Sequence, residues 1–357
     1  MEDTRIRVLI VDDSVVARLM LQQVIREDPL LVLAGVESSG QAALDKLDAL
    51  SPDVVILDVE MPGMNGVETV AAIRARAPRL PVIMFSSYTE DGAAVTIEAL
   101  SRGASDFVMK PSQTASADAA ATLVREQLLS KIKALGNVRR RPISNAARDT
   151  DDSSSSWIVP PKRSVLEIVC LAASTGGPEA LELVLTALPA NFPVPIAIVQ
   201  HMPPFFTKQL ARRLAEKCAI RVREAQSGET LEAGTALIAP GDFHLHIRQR
   251  DARCYALINS DPPENSCRPA ADVLFRSAAA EFGNQTLAVV LTGMGLDGLK
   301  GCEAVSNAGG RAIIQNEATS VIWGMPGAVS RAGYASQELP IHKMATEIIR
   351  RVQEGRS

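Results

Sequence analysis

Five short apolar runs, Ile6–Val11, Leu31–Val36, Val54–Leu57, Val82–Phe85 and Phe107–Met109, alternate with segments of helical apolar spacing. Runs of this length bury as strands. Strands separated by helices pair in parallel through right-handed crossovers, with helices on both faces. In Ser14–Arg26 the residues Val16, Leu19, Met20 and Val24 define the predicted buried face. Asp118–Leu135 reads as a closing helix. From Gly136 to Ser164 the periodicity stops: Arg139-Arg140-Arg141-Pro142, Asp151-Asp152, Ser153–Ser156 and Pro160-Pro161 follow with no apolar face. Such a stretch does not offset its own ordering entropy and reads as a linker. Apolar strands resume at Val165–Leu171 and continue at Ile196–Val199, Ala236–Ile238, Leu287–Leu291 and Ala312–Ile314. Helical patterns such as Glu179–Leu188 and Thr207–Glu216 lie between them. The expected architecture is α/β throughout: a five-stranded parallel sheet over residues 5–125, a linker over 136–164, and a second, doubly wound α/β domain over 165–353.

Composition limits the function. A chain of 357 residues, 46% of them hydrophobic, fills two cores at about 150 residues per domain. A net charge of -4 argues against a general nucleic-acid binder, which must neutralise phosphates. Only 8 Phe, 3 Tyr and 2 Trp are present as stacking platforms for single strands. No run approaches the roughly 18 apolar residues of a membrane span. The opening MEDTRIRVLIVDD lacks the apolar stretch of a secretory signal. Five cysteines, odd in number and without a C-x-x-C pair, spell neither a disulfide framework nor a zinc knuckle. The expectation is a protein of the reducing cytoplasm with no membrane insertion.

Ligands of open parallel sheets gather outside the carboxyl ends of the strands. In the first domain that rule selects Asp12 and Asp13 after the first strand, Asp58 after the third, Ser86 after the fourth and Lys110 after the fifth. Three carboxylates on one point repel unless a cation sits among them, and hard oxygen ligands beside a phosphate suit Mg²⁺. A lysine there neutralises a phosphoryl group, a serine hydroxyl donates to it, and Asp58 would be the acceptor that forms an aspartyl phosphate. Each residue alone has a structural use. Asp13-Ser14 fits a helix N-cap, Asp58 a turn before Met61-Pro62-Gly63, and Lys110 a surface charge. Their convergence on one sheet edge is the informative feature.

In the second domain the same rule brings together Ser174, His201 and Asp297, each in the segment that follows a predicted strand. Small neighbours, Ala172, Ala173 and Gly176, permit a tight strand-to-helix turn that exposes the serine. A hydroxyl, an imidazole and a carboxylate at one edge suit nucleophilic hydrolysis, whatever their chain order. Three other readings compete. Ser174 fits an N-cap for the helix after Pro178. Gly293-Met294-Gly295-Leu296-Asp297-Gly298, with Glu317 further on, matches a dinucleotide-binding fingerprint, although Asp297 would repel a pyrophosphate. His244 and His246 share a strand face as a two-histidine metal pair, but no third ligand is evident, so a solvated or satisfied pair is the simpler reading. His342 reads as a cap of the final helix.

The segments VLIVDDS, VVILDVEMPGMNGVE, MFSS and GASDFVMKP together resemble the response-regulator receiver domain, flavodoxin-like in fold, over residues 5–125. The resemblance implies phosphorylation of Asp58 by a histidine kinase, with Mg²⁺ held by Asp12, Asp13 and Asp58. It further implies Lys110 on the phosphoryl group and Ser86 with Phe107 as the switch pair.

SVLEIVCLAASTGGPEAL, IAIVQHMPPFFTKQLARRL, APGDFHLHI, CRPAADVLF, VVLTGMGLDGLKG and WGMPGA resemble the catalytic domain of the CheB methylesterase family over most of 165–353. Ala270 stands where the family pattern is expected to have serine. The resemblance implies hydrolysis of glutamyl methyl esters on chemoreceptors, releasing methanol, and deamidation of receptor glutamines. Ser174, His201 and Asp297 would act without a cofactor. Backbone N–H groups near Met294 would hold the oxyanion, and Thr175 would help position His201. A histidine kinase of the CheA type would supply the phosphoryl group, whose arrival on Asp58 would lift a receiver-mediated block of the Ser174 edge.

Overall fold

Every strand of the first sheet lies within one residue of the apolar run that predicts it. The elements are β1 (Ile6–Val11), α1 (Val15–Arg26), β2 (Leu31–Glu37), α2 (Gly40–Leu50), β3 (Val54–Asp58), α3 (Gly66–Arg76), β4 (Val82–Ser86), α4 (Glu90–Ser101), β5 (Asp106–Met109) and α5 (Ala117–Arg140). The computed structural model describes residues 4–111, 117–140, 165–251, 253–354 and 356. The chain divides into two units, residues 1–142 and 143–357.

The first sheet is parallel, in the order β2-β1-β3-β4-β5. Its central strands are buried on both faces, which is why they read as unbroken apolar runs. The buried face of α1 differs from the predicted one. Ala17, Leu21, Val24 and Ile25 pack inward, and Val16 and Leu19 face solvent. Apolar residues cover two sides of this helix, so periodicity alone leaves its rotation open. At its start the Ser14 hydroxyl accepts the Ala17 N–H at 3.3 Å, the capping role considered from sequence. The closing helix α5 continues through Gly136 to Arg140, so residues 136–140 are helix rather than linker. The rest of the expected linker, 141–164, lies outside the described residues.

The second unit runs β6 (Ile168–Ala173), α6 (Gly177–Thr186), β7 (Ile196–Gln200), α7 (Phe206–Lys217), β8 (Arg221–Glu224), β9 (Thr230–Leu231), β10 (Thr235–Ile238), β11 (His244–Arg250), β12 (Arg253–Asn259), α8 (Ala271–Phe282), β13 (Thr286–Val290), α9 (Leu299–Asn307), β14 (Arg311–Gln315), α10 (Met325–Arg331), β15 (Ala335–Leu339) and α11 (Ile341–Gln353). Seven parallel strands form one sheet in the order β15-β14-β13-β6-β7-β10-β8. The outermost strands, β8 and β15, escape an apolar-run search because half their side chains face water. A small antiparallel sheet, β11-β12-β9, packs its Leu245, Ile247 and Ala256 into the core beside α8.

Candidate functional site

In the first sheet the strand order reverses between β1 and β3, and the crevice there is the expected ligand site. Asp12 follows β1 and Asp58 ends β3, both buried, with Asp13 exposed beside them. One carboxylate oxygen from each lies within 4.8 Å of the other two. Lys110 Nζ is 2.7 Å from Asp58 Oδ1 and 3.2 Å from Asp12 Oδ2. Burial drives the Asp58 carboxyl up to about 6, helped by repulsion from Asp12 and opposed by Lys110. Burial opposes charge on Lys110 too, but its two carboxylate partners keep it above the usual lysine value. Asp58 Oδ2 is buried without a hydrogen bond, and Asp12 Oδ2 has only the Lys110 ion pair. Three carboxylates with a buried oxygen left unbonded fit a hard divalent cation. A cavity of about 620 Å³, lined by Asp13, Asp58, Met61, Asn65, Val95 and Lys110 among others, opens over the group.

The predicted switch residues flank this crevice. Ser86 is buried, and its hydroxyl faces α4, where Thr96 Oγ1 lies at 2.7 Å and the Gly92 carbonyl at 3.3 Å. Its carbonyl accepts the Lys110 N–H at 2.6 Å. Phe107 is buried, with Lys131 Nζ 5.4 Å from its ring centre and 2.7 Å from its carbonyl.

The second sheet reverses between β6 and β13. The loops after β6, β7 and β13 therefore open side by side, and they carry Ser174, His201 and Asp297. Backbone bonds tie them together. Ser174 N–H donates to the Thr292 carbonyl at 3.0 Å, and His201 N–H to the Ala173 carbonyl at 3.2 Å. The approach is close enough that a Cβ on Gly293 would lie 2.9 Å from Ser174 Cβ and 2.4 Å from Met325 Sδ. The glycine at 293 is thus required by packing, and the G-x-G-x-x-G pattern needs no nucleotide to explain it. Ser174 does not cap α6; Gly176, at φ +77°, occupies that position.

His201 Nε2 lies 2.7 Å from Asp297 Oδ2. The carboxylate is buried and saturated. Its Oδ2 also accepts the Ala271 N–H at 2.6 Å, and its Oδ1 accepts the Asp272 N–H at 3.1 Å and Asn265 Nδ2 at 2.9 Å. Asp297 thus sits on the N-terminus of α8, whose N-cap, Ala270, has no side-chain acceptor of its own. A serine at 270 would supply a cap that Asp297 provides from outside. Burial opposes the charge on Asp297, but His201 and these donors outweigh it and hold the carboxyl below its ordinary value. Burial likewise disfavours an imidazolium at 201, yet Asp297 and Cys267 hold it above the usual histidine value. His201 Nδ1 faces Cys267 Sγ at 3.7 Å. Among the described residues the Ser174 hydroxyl makes no hydrogen bond, so the serine–imidazole contact is open in this conformation.

Thr175 is buried, its carbonyl accepting the Thr292 hydroxyl at 3.0 Å. The Met294 N–H donates to no group among the described residues. Sequence reasoning missed three supporting residues. Gln200, buried at the end of β7, donates to the Ser174 carbonyl at 3.0 Å. Asn265 bridges Asp297 and Asp272, bonding each at 2.9 Å. Cys267 is the third. Single amides and thiols carry no pattern that announces such roles.

The metal-pair alternative is not supported. Both ring nitrogens of His244 are engaged, Nε2 with the Pro262 carbonyl at 3.1 Å and Nδ1 with the Ala270 N–H at 3.2 Å. His246 Nε2 meets Asn259 Nδ2 at 3.0 Å. His342 lies inside α11, whose N-cap is Pro340, so it does not cap that helix.

Taken together, the folds and sites define a response regulator whose output unit is an α/β domain of hydrolase type. Residues 169–348 match the family described as CheB methylesterase, and residues 8–121 match the response regulator receiver domain. The chain is 45% identical over 352 residues to a protein-glutamate methylesterase/protein-glutamine glutaminase of Trichodesmium erythraeum, covering 98% of this chain and 99% of that one. A namesake from Thermotoga maritima is 41% identical over 349 residues, covering 98% of this chain and 99% of that one. The crystal structure of the Thermotoga maritima CheB methylesterase catalytic domain superposes with a TM-score of 0.51 at 42% identity, over 52% of this chain and 99% of that one. The chain belongs to the CheB methylesterase family.

Proposed function

We propose that this protein is a phosphorylation-gated protein-glutamate methylesterase and protein-glutamine glutaminase acting on methylated chemoreceptors, with a CheA-type histidine kinase as phosphodonor. The observation that carries the reading is the His201–Asp297 bond at the sheet's switch point, beside the Ser174 turn. Asp297 occupies Nε2, so Nδ1 is the nitrogen left to act as base. Ser174 Oγ attacks the γ-carbonyl of a glutamyl methyl ester as its proton passes to Nδ1. The tetrahedral oxyanion forms near the unengaged Met294 N–H, a preorganised donor of the kind worth about 3–4 kcal/mol. Nδ1 then protonates the departing methoxide, giving methanol and an acyl-serine. Water hydrolyses the acyl-serine by the reverse proton path, leaving glutamate and free Ser174. A glutamine side chain follows the same course with ammonia as leaving group. Thr175, buried beside the nucleophile, supports the geometry of the turn.

In the receiver, Asp58 attacks a phosphohistidine phosphorus, and Lys110 compensates the added charge. Asp12, Asp13 and Asp58 would hold Mg²⁺, which supplies charge neutralisation for phosphoryl transfer. Leaving α4 for the phosphoryl group, Ser86 would switch together with Phe107. We assign the protein to the cytoplasm: all five cysteines are free, and among the described residues no helix is long and apolar enough to cross a membrane. The test is methanol release from methylated receptor, with and without a small phosphodonor such as acetyl phosphate. Ser174→Ala abolishes release under this reading; persistence of release in that variant overturns it.

A further inference from the structure

The turn that follows β12 grips both members of the imidazole–carboxylate pair. Glu264 and Cys267 exchange backbone hydrogen bonds at 3.0 and 2.8 Å, closing a two-residue loop. Its central residues, Asn265 and Ser266, are left-handed at φ +52° and +61°, a conformation with a cost for serine. Two hydrogen bonds from Arg276 of α8 to Glu264, at 2.7 and 2.6 Å, pin the loop from outside. From this anchored turn Asn265 reaches Asp297 Oδ1, and Cys267 Sγ comes to 3.7 Å from His201 Nδ1. Strain of this kind is held only where surrounding contacts fix it, and here it aims two side chains at one functional pair.

We propose that Cys267 is a positioning residue of the esterase site, its thiol and the Ser174 hydroxyl taking turns at His201 Nδ1. The inference rests on the reading of His201 as the base. With Nε2 held by Asp297, Nδ1 alone can exchange protons with substrate, and between turnovers it lies against sulfur rather than the serine oxygen. The need is greatest in the acyl-enzyme. Ser174 Oγ is then an ester oxygen with no proton to donate, whereas the thiol donates its S–H to the neutral Nδ1 and holds the ring in place until the incoming water displaces it. When Nδ1 is protonated the same sulfur accepts its N–H, so Cys267 favours the charged ring without touching substrate. The charged and titratable groups around His201 are Asp297 from the β13–α9 loop and Cys267 from the turn, with Asp272 and Glu264 behind Asp297 and Lys300 on α9.

The experiment uses the full chain, whose four histidines make imidazole resonances simple to assign. For wild type, Cys267→Ala and Cys267→Ser, the His201 titration is followed by NMR and the acid limb of kcat/KM for methyl ester hydrolysis is measured. In Cys267→Ala both midpoints fall together by about half a unit or more, with KM unchanged. Cys267→Ser, which restores a donor and acceptor, returns both toward wild type. Unmoved midpoints in Cys267→Ala, or a serine variant that behaves as alanine does, overturn the inference. Hydrolysis that survives Ser174→Ala at the wild-type rate would instead remove the reading of Ser174 as nucleophile and His201 as its base, so the two failures are distinct.

Discussion

Asp297 Oδ2 bonds His201 Nε2 at 2.7 Å and the Ala271 N–H at 2.6 Å, so a single oxygen joins the imidazole to the first turn of α8. The carboxylate is thereby oriented by backbone that cannot rotate away. An amide at this position must turn its NH₂ toward two of the four hydrogen-bond donors. Asp297→Asn is expected to lower kcat by about 10⁴-fold through loss of ring orientation and of support for the imidazolium. Steady-state hydrolysis of methylated receptor checks this. A loss under tenfold would mean that Asp297 serves α8 rather than the reaction.

Activity is expected to climb with pH through and beyond neutrality. A general base acts in its neutral form, and Asp297 with Cys267 holds the His201 imidazole above its ordinary value against the effect of burial. The acid limb of kcat/KM therefore lies above the usual histidine midpoint near 6.5. Stability runs the other way. A raised imidazole stabilises the fold fully below the unfolded value, and that contribution fades as pH rises through the folded value. Conditions that speed turnover thus loosen this part of the fold. Parallel pH series of kcat/KM and of thermal unfolding should show opposite slopes; slopes of one sign would contradict the assignment.

At the receiver pocket a carboxyl, not an imidazole, carries the raised value. Asp58 has its carboxyl raised to about 6 from an ordinary 3.8, so the folded state binds this proton more tightly than the unfolded chain. Stability then falls as pH rises from about 4 to about 6, by on the order of 1–3 kcal/mol, and stays at the lower level above that window. Asp58→Asn is expected to flatten this dependence and stabilise the first unit at pH 7 while abolishing phosphorylation. Thermal unfolding from pH 4 to 8, alongside phosphate incorporation from acetyl phosphate, measures both. Loss of stability at pH 7 on Asp58→Asn would show that attraction to Lys110 outweighs burial.

Much of this arrangement is legible in the sequence because both sheets are parallel. Within buried strands, runs such as Val54–Leu57 and Ile196–Val199 are continuously apolar, and the residues at and past the strand ends face the ligand crevice. Asp12, Asp58, Lys110, Ser174, His201 and Asp297 stand out for that reason. The edge strands β8 and β15 do not, because half their residues face water and resemble loop. The face of α1 stays ambiguous where Val16 and Leu19 compete with Leu21 and Ile25 for the same period. Asn265, Cys267 and Gln200 are invisible for a different cause: their roles come from a strained turn and a strand end whose neighbours are set by tertiary packing. Which imidazole nitrogen meets Asp297 is likewise a property of ring placement that no spacing encodes.

Removing residues 1–164 tests the regulatory half of the proposal. The second unit has its own seven-stranded sheet and a core built from Cys170, Leu237, Phe275, Val290 and their neighbours, and the matching Thermotoga maritima catalytic domain was crystallised as a separate piece. The fragment 165–357 is therefore expected to fold. If the unphosphorylated chain is blocked in about 99 of 100 molecules, a full release moves the balance by about 5.5 kcal/mol. The fragment should then hydrolyse receptor methyl esters up to about 100-fold faster than the unphosphorylated chain, with no response to phosphodonor. Phosphorylated full-length protein should approach the same rate, and Asp58→Asn should stay at the basal one. A fragment no faster than the intact resting chain would mean that the receiver does not cover the Ser174 edge. Phosphorylation would then have to act by presenting the esterase to its receptor, with a lower KM rather than a higher kcat.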